Sequence, residues 1–169
     1  TRVGDGQTRL FGETEISLDA VLASACLPTI HQGVEIDGET YWDGGYAANP
    51  PLLPLVEASR ADRVLLVQIV PTTGEEHPTT SSGISRRLNQ ITFNAPLQHE
   101  LDTLARLQEI AAGSSTPDAR HLRNTSVERI SAEDWYPDLA SRSATDLGRS
   151  LVFGLRDAGR SAAEAWLGG

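Results

Sequence analysis

Apolar and polar positions in the first forty residues alternate only in short bursts, punctuated by glycine. Residues 1–3 and 7–11 read as two extended runs around Gly4, Asp5 and Gly6, because glycine and aspartate tolerate the positive φ that hairpins demand. The first run is short, and the residues and strands that would precede it are expected to lie outside this stretch. From Ser17 the period lengthens. Leu18, Val21, Leu22, Ala25 and Cys26 fall on one helical face, Ser17 stands where its hydroxyl can accept from the orphan amides of the first turn, and Pro28 ends the helix. Val34–Ile36 and residues 40–42 then read as short strands flanking Asp37 and Gly38, a pair suited to a two-residue hairpin turn.

Beyond Asp43, Gly44 and Gly45, Asn49 is placed to cap a helix whose first turn holds Pro50 and Pro51, where a missing N–H costs nothing. Leu52, Leu53, Leu55 and Val56 supply its buried face. Residues 63–70 (RVLLVQIV) form a nearly continuous apolar run, as expected of a strand covered by helices on both faces. Proline, threonine, serine and glycine concentrate in residues 71–83, which predicts a mobile surface loop. Ile84, Leu88, Ile91, Ala95, Leu101, Leu104, Leu107 and Ile110 keep helical spacing up to Gly113, with Pro96 expected to kink or split the helix. Residues 113–118 read as a linker and 121–130 as containing a late strand. A last helix is predicted over 146–167 from Leu147, Leu151, Leu155, Ala158, Ala162 and Trp166, with Thr145 as its cap and Gly168 as its stop. Hairpins, one buried strand and long helices predict a layered α/β domain.

Composition narrows the function classes. At 169 residues and 39% hydrophobic content the chain has the size and make-up of one globular domain. Its 14 Lys and Arg against 23 Asp and Glu leave a formal charge of −9, the wrong sign for neutralising phosphates, so nucleic acid is not an expected partner. The apolar runs fall far short of the roughly 20 residues that a bilayer-spanning helix requires. A single cysteine, Cys26, excludes an intrachain disulfide and a Cys-based zinc site, and tilts the expected compartment toward a reducing cytoplasm. There is no methionine and the sequence starts at Thr1, so a longer parent chain is expected.

Chemistry concentrates between Glu35 and Pro51. Asp37-Gly38 has flanks that alternate like hairpin strands, and its plain reading is a turn. Asp43 differs, because two glycines follow it. With both Cβ atoms removed beside the carboxylate, another segment or a substrate can approach the backbone closely. Asn49 can orient that turn or cap the helix after it. Ser24 and His31 are candidate lining for a neighbouring pocket, each weighed against a plainer role as a packed helix residue and a loop residue. Cys26 reads as a small buried hydrophobe. His31, His77, His99 and His121 are dispersed, and Asp37, Glu39 and Asp43 fit no calcium loop, so neither a metal nor a cofactor is expected. Arg86, Arg87 and Arg106 could meet an anionic headgroup, although solvated arginines on an amphipathic helix are the default.

Taken together, the run Leu22 to Thr29, then Val34 to Gly38, then Tyr41-Trp42-Asp43-Gly44-Gly45-Tyr46 and Asn49-Pro50 resembles the C-terminal half of bacterial patatin-like phospholipases. The 65–69 strand and the helix carrying Arg87 to Asn94 are similar too. The resemblance implies a three-layer α/β/α hydrolase fold, with residues 1–169 forming the C-terminal part of a single catalytic domain. It implies a lipid or ester substrate and a serine–aspartate dyad in which Asp43 matches the aspartate, taking the proton from the serine hydroxyl with no histidine between them. Gly44, Gly45 and Asn49 would support that turn, and peripheral contact with a membrane is left open.

The sequence departs from the family at the nucleophile. That family's serine sits in G-x-S-x-G after a glycine-rich oxyanion loop, and neither occurs here. Gly148-Arg149-Ser150 and Gly159-Arg160-Ser161 come nearest, but Val152 and Ala163 replace the final glycine and both serines fall in a predicted helix. The serine and oxyanion amides are therefore expected from a missing N-terminal segment or a companion chain, and this chain alone is expected to be inactive. The alternative is a noncatalytic interaction module in which the Asp-Gly-Gly turn is only structural.

Overall fold

The computed structural model of the chain describes residues 1–141 and 148–168. Its elements run α1 (Leu18–Ser24), β1 (Val34–Ile36), β2 (Glu39–Tyr41), a 3-10 turn (Gly44–Tyr46), α2 (Leu52–Ala58), β3 (Arg63–Gln68), α3 (Ser81–Ala111), α4 (Pro117–Asn124), β4 (Ser126–Ser131), α5 (Ala132–Trp135), a second 3-10 turn (Pro137–Ser141) and α6 (Arg149–Gly168). Helices and small sheets are mixed, an α/β arrangement. β1 and β2 pair antiparallel, and β3 and β4 pair parallel. Thr145, Asp146 and Leu147, assigned above to the start of the last helix, lie outside the described residues.

The hairpin is set by its turn. Asp37 (φ 52°) and Gly38 (φ 81°) both occupy the left-handed region, which matches the strand twist and fixes the Val34–Tyr41, Glu35–Thr40 and Ile36–Glu39 register. The first extended run lies beside β2, with Arg2 bridged to Tyr41, Val3 N–H donating to Thr40 O at 2.8 Å and Trp42 N–H to Thr1 O at 2.9 Å. Residues 7–11 form no strand. Their expected pairing across the glycines is reduced to Arg2 N–H on Gln7 O, because Gly6 N–H turns back onto Arg2 O and closes the loop.

Ser17 caps α1 by accepting from Ala20 N–H at 3.1 Å. The face that turns inward is not the predicted one. Ala20 and Ala23 are buried, whereas Leu18 and Val21 are 74% and 55% exposed. Small side chains let the helix sit close on β1 and the Gly44–Tyr46 turn, and periodicity alone does not say which of two apolar stripes a neighbour will cover.

The core sits between α2, α3 and one face of the parallel pair. Leu52, Val56, Val64, Leu66, Leu97 and Leu104 form it, each worth roughly 1.5–3 kcal/mol of transfer energy when fully buried. β3 alternates strictly, so Val64, Leu66 and Gln68 point into this layer while Leu65, Val67 and Ile69 point away. The sequence predicted cover on both faces. Among the described residues the second face is met by α6 only near its edge, where Arg63 lies over the Trp166 ring at 5.6 Å and Trp166 Nε1 donates to Glu128. Val67 and Ile69 remain 67% and 65% exposed. The Trp166 indole and the Arg63 guanidinium together hold the Glu128 carboxyl below the usual glutamate range.

Helix α3 starts at Thr80, which accepts from Gly83 N–H at 3.1 Å, and runs unbroken through Pro96. The proline therefore does not split it. The packing of Leu97 and Leu104 on the core holds the chain helical on the far side of the lost hydrogen bond. Its buried line is Gly83, Gln90, Leu97, Leu104 and Ala111, and Ile84, Leu88, Ile91 and Ile110 from the predicted stripe are exposed. In its N-terminal half, polar groups make the contacts. Asn94 accepts from Gln68 Nε2 and donates to Pro71 O, both at 2.8 Å, and Arg87 donates to Thr72 O at 3.1 Å.

The loop after β3 is anchored where it begins. Glu133 of α5 accepts from Thr72 N–H and Thr73 N–H, each at 3.1 Å, and from both threonine hydroxyls. Burial pushes the Glu133 carboxyl up, but these bonds outweigh it and hold the group below its ordinary range. The late strand expected within 121–130 is present as β4, but the stretch before it, read in part as a linker, contains α4. Thr116 accepts from Ala119 N–H and Pro117 occupies the first turn, a helix-start signal, and β4 follows from Ser126.

Candidate active site

Asp43 sits at the exit of the hairpin, half-buried, as the N-cap of the Gly44–Tyr46 turn. Its Oδ1 accepts from Gly45 N–H at 2.7 Å. Its own N–H donates to Cys26 O at 2.9 Å, and its carbonyl accepts from Thr1 Oγ1 at 2.8 Å. The backbone is thus held on both sides, by the loop after α1 and by the first residue of the chain. Among the described residues no side chain hydrogen-bonds to Oδ2, and the Thr1 ammonium lies near enough to interact with the Asp43 charge. A carboxylate with one oxygen fixed by an amide and the other without such a side-chain bond is geometrically able to accept a proton from a hydroxyl brought to it.

The two glycines do different things. A Cβ on Gly45 would stand 3.0 Å from Phe93 Cε1 and 3.2 Å from Asp43 Oδ1, so the α3 ring and the carboxylate both use the space. A Cβ on Gly44 would meet nothing within 4 Å. Gly44 instead lines a cleft of about 300 Å³ together with Ser24, Ala20, Val21, Leu10 and Ala48. The turn therefore stands between an apolar cleft on its Gly44 side and helix α3 on its Gly45 side.

Asn49 does not cap α2. Pro51 occupies the cap position without a side-chain bond, and Leu53 N–H in the first turn is satisfied from another element by Glu100 Oε2 at 2.7 Å. Asn49 Nδ2 reaches across to Phe93 O at 3.0 Å. Ser24 lies in the cleft wall with its hydroxyl donating to Val21 O at 2.7 Å. His31 is exposed in the loop after α1 and is not part of that wall. Cys26 is buried, with Sγ 3.1 Å from Gln32 O. Ser150 and Ser161 both fall inside α6.

Phe93 and Glu100 were not singled out from sequence. Each is forty or more residues from the group it serves, and the only trace was the similarity of the helix around Phe93 to the family already named. Among the described residues no group of three His, Cys, Asp or Glu side chains could hold a metal ion, and no helix is long and apolar enough to cross a membrane.

No curated protein and no solved structure matches the chain. The family model of the patatin-like phospholipases does match, over residues 5–56. That stretch holds α1, the β1–β2 hairpin, Asp43 and both glycines, and it is there that the chain is similar to the patatin-like family.

Proposed function

We propose that this chain supplies the general-base carboxylate of a lipid acyl hydrolase. The observation that carries the reading is the position of Asp43 inside the family match, with Oδ1 fixed by Gly45 N–H and the adjacent Gly44 in the wall of an apolar cleft. In the proposed reaction, Asp43 Oδ2 takes the proton of a serine hydroxyl while the serine oxygen attacks the ester carbonyl. Backbone amides carry the oxyanion, and the proton passes to the leaving alkoxide. Water then hydrolyses the acyl-serine, with the same carboxylate accepting its proton. The serine and the oxyanion amides come from a segment outside these 169 residues or from a companion chain, completing a three-layer domain. The acyl chain lies along Leu10, Phe11, Ile16 and Val21 in the cleft.

The test uses a longer parent protein containing this chain and a short-chain p-nitrophenyl ester. Asp43→Asn is expected to lower kcat by about 10²–10⁴-fold, the usual contribution of a positioned general base. A fluorophosphonate should label a serine outside residues 1–169. Turnover undiminished in Asp43→Asn would overturn the reading.

A further inference from the structure

Helix α3 meets the Asp43 turn at Phe93, and the contact has three parts. The Phe93 ring fills the space that a side chain at position 45 would need, at 3.0 Å from the ideal Cβ. The same ring packs on Tyr46 with centroids 5.3 Å apart, and Tyr46 packs in turn on Trp42 at 6.5 Å. The Phe93 carbonyl accepts from Asn49 Nδ2 at 3.0 Å. The helix therefore holds the turn at Gly45 and Tyr46, with Trp42 packed on Tyr46, and again at Asn49 just beyond it.

We propose that Phe93 is a positioning residue for the Asp43 carboxylate, acting through Gly45. The ring bars Gly45 from moving toward α3, which keeps its N–H aimed at Oδ1, and a fixed Oδ1 leaves Oδ2 as the oxygen that faces a hydroxyl donor. Without the ring, the peptide at Gly45 gains room to rotate, the 2.7 Å bond is broken part of the time, and the carboxylate samples other rotamers. Misplacing a reacting group by about 1 Å is enough to cost on the order of 10²-fold in rate. Asn49 is the second anchor, holding the helix backbone rather than the ring. The catalytic consequence rests on the hydrolase reading, while the structural assignment does not.

The experiment is amide hydrogen exchange by NMR on the 169-residue chain. In Phe93→Ala, exchange at Gly45 should accelerate at least about tenfold, while the amides of Val64 and Leu66 in β3 keep their protection. Phe93→Tyr, which keeps the ring, should restore the Gly45 rate. If Phe93→Ala does not fold, Asn49→Ala tests the same coupling from the backbone side and should accelerate Gly45 without touching β3. Unchanged Gly45 exchange in the folded variants would overturn the proposal. In the longer parent protein, Phe93→Ala should lower kcat with little change in KM, and by less than Asp43→Asn. Loss of Gly45 protection together with full activity in Asp43→Asn would leave the positioning role standing and remove the hydrolase reading.

Discussion

The Asp43 turn and the β3–β4 core are neighbours in one fold, yet they are held by different physics. The core depends on volume: Leu52, Val56, Val64, Leu66, Leu97 and Leu104 fill one space, and many weak contacts share the stabilisation. The turn depends on a few directional contacts. Gly45 N–H on Oδ1, Asp43 N–H on Cys26 O, Asn49 on Phe93 O and the Phe93 ring itself fix its shape. A core of the first kind loses stability in proportion to the atoms removed. A turn of the second kind loses its geometry when one contact goes, with little change in global stability.

The largest separation between the two regions is expected from Leu104→Ala. It should cost about 2–5 kcal/mol by urea titration, while the Gly45 amide resonance stays in place. A shifted Gly45 resonance would show that core and turn are not independent. Gly45→Ala comes next. The added methyl meets the Phe93 ring, so a loss of about 1–3 kcal/mol is expected, with partial recovery in the Gly45→Ala, Phe93→Leu double variant. Gly44→Ala, where the methyl enters open space, should stay within about 0.5 kcal/mol. Equal costs at the two glycines would contradict the division of the turn into a packed and an open side.

The smallest effect concerns the Glu133 anchor, which belongs to neither region. Its folded-state carboxyl lies below the unfolded value, so its contribution is full above the unfolded value and is lost as pH falls through the folded one. Glu133→Gln should therefore lower the urea midpoint at neutral pH, and the difference from the parent should shrink as pH falls through the lowered range of the folded-state carboxyl. A difference that persists in acid would mean the hydrogen bonds do not depend on the charge.

What the sequence made legible follows the same division. Backbone-directed signals were readable: Asp37-Gly38 gave the hairpin, Ser17 the α1 cap, and the order of residues around Asp43 the family resemblance. Thr116 and Pro117 carry a helix-start signal inside a stretch whose polar, glycine- and serine-containing composition reads as a linker. Facing was not readable. In α1 the alanines rather than the leucines turned inward, and in α3 the buried line recruited Gly83 and Gln90 in place of Ile84 and Ile91, because each choice depends on which neighbour arrives. The partners of Asn49 and Leu53 were invisible for a related reason, since Phe93 and Glu100 reach them from a helix far along the chain.

That helix is a single rod of 31 residues, about 46 Å long at 1.5 Å per residue. It touches the carboxylate's turn through Phe93, satisfies the first turn of α2 through Glu100 and seats in the core through Leu97 and Leu104. A stiff bar fastened at three places spreads its load, so the Phe93 end can lose its grip on Gly45 while Leu97 and Leu104 stay seated, and the turn can open without the bar leaving its bed.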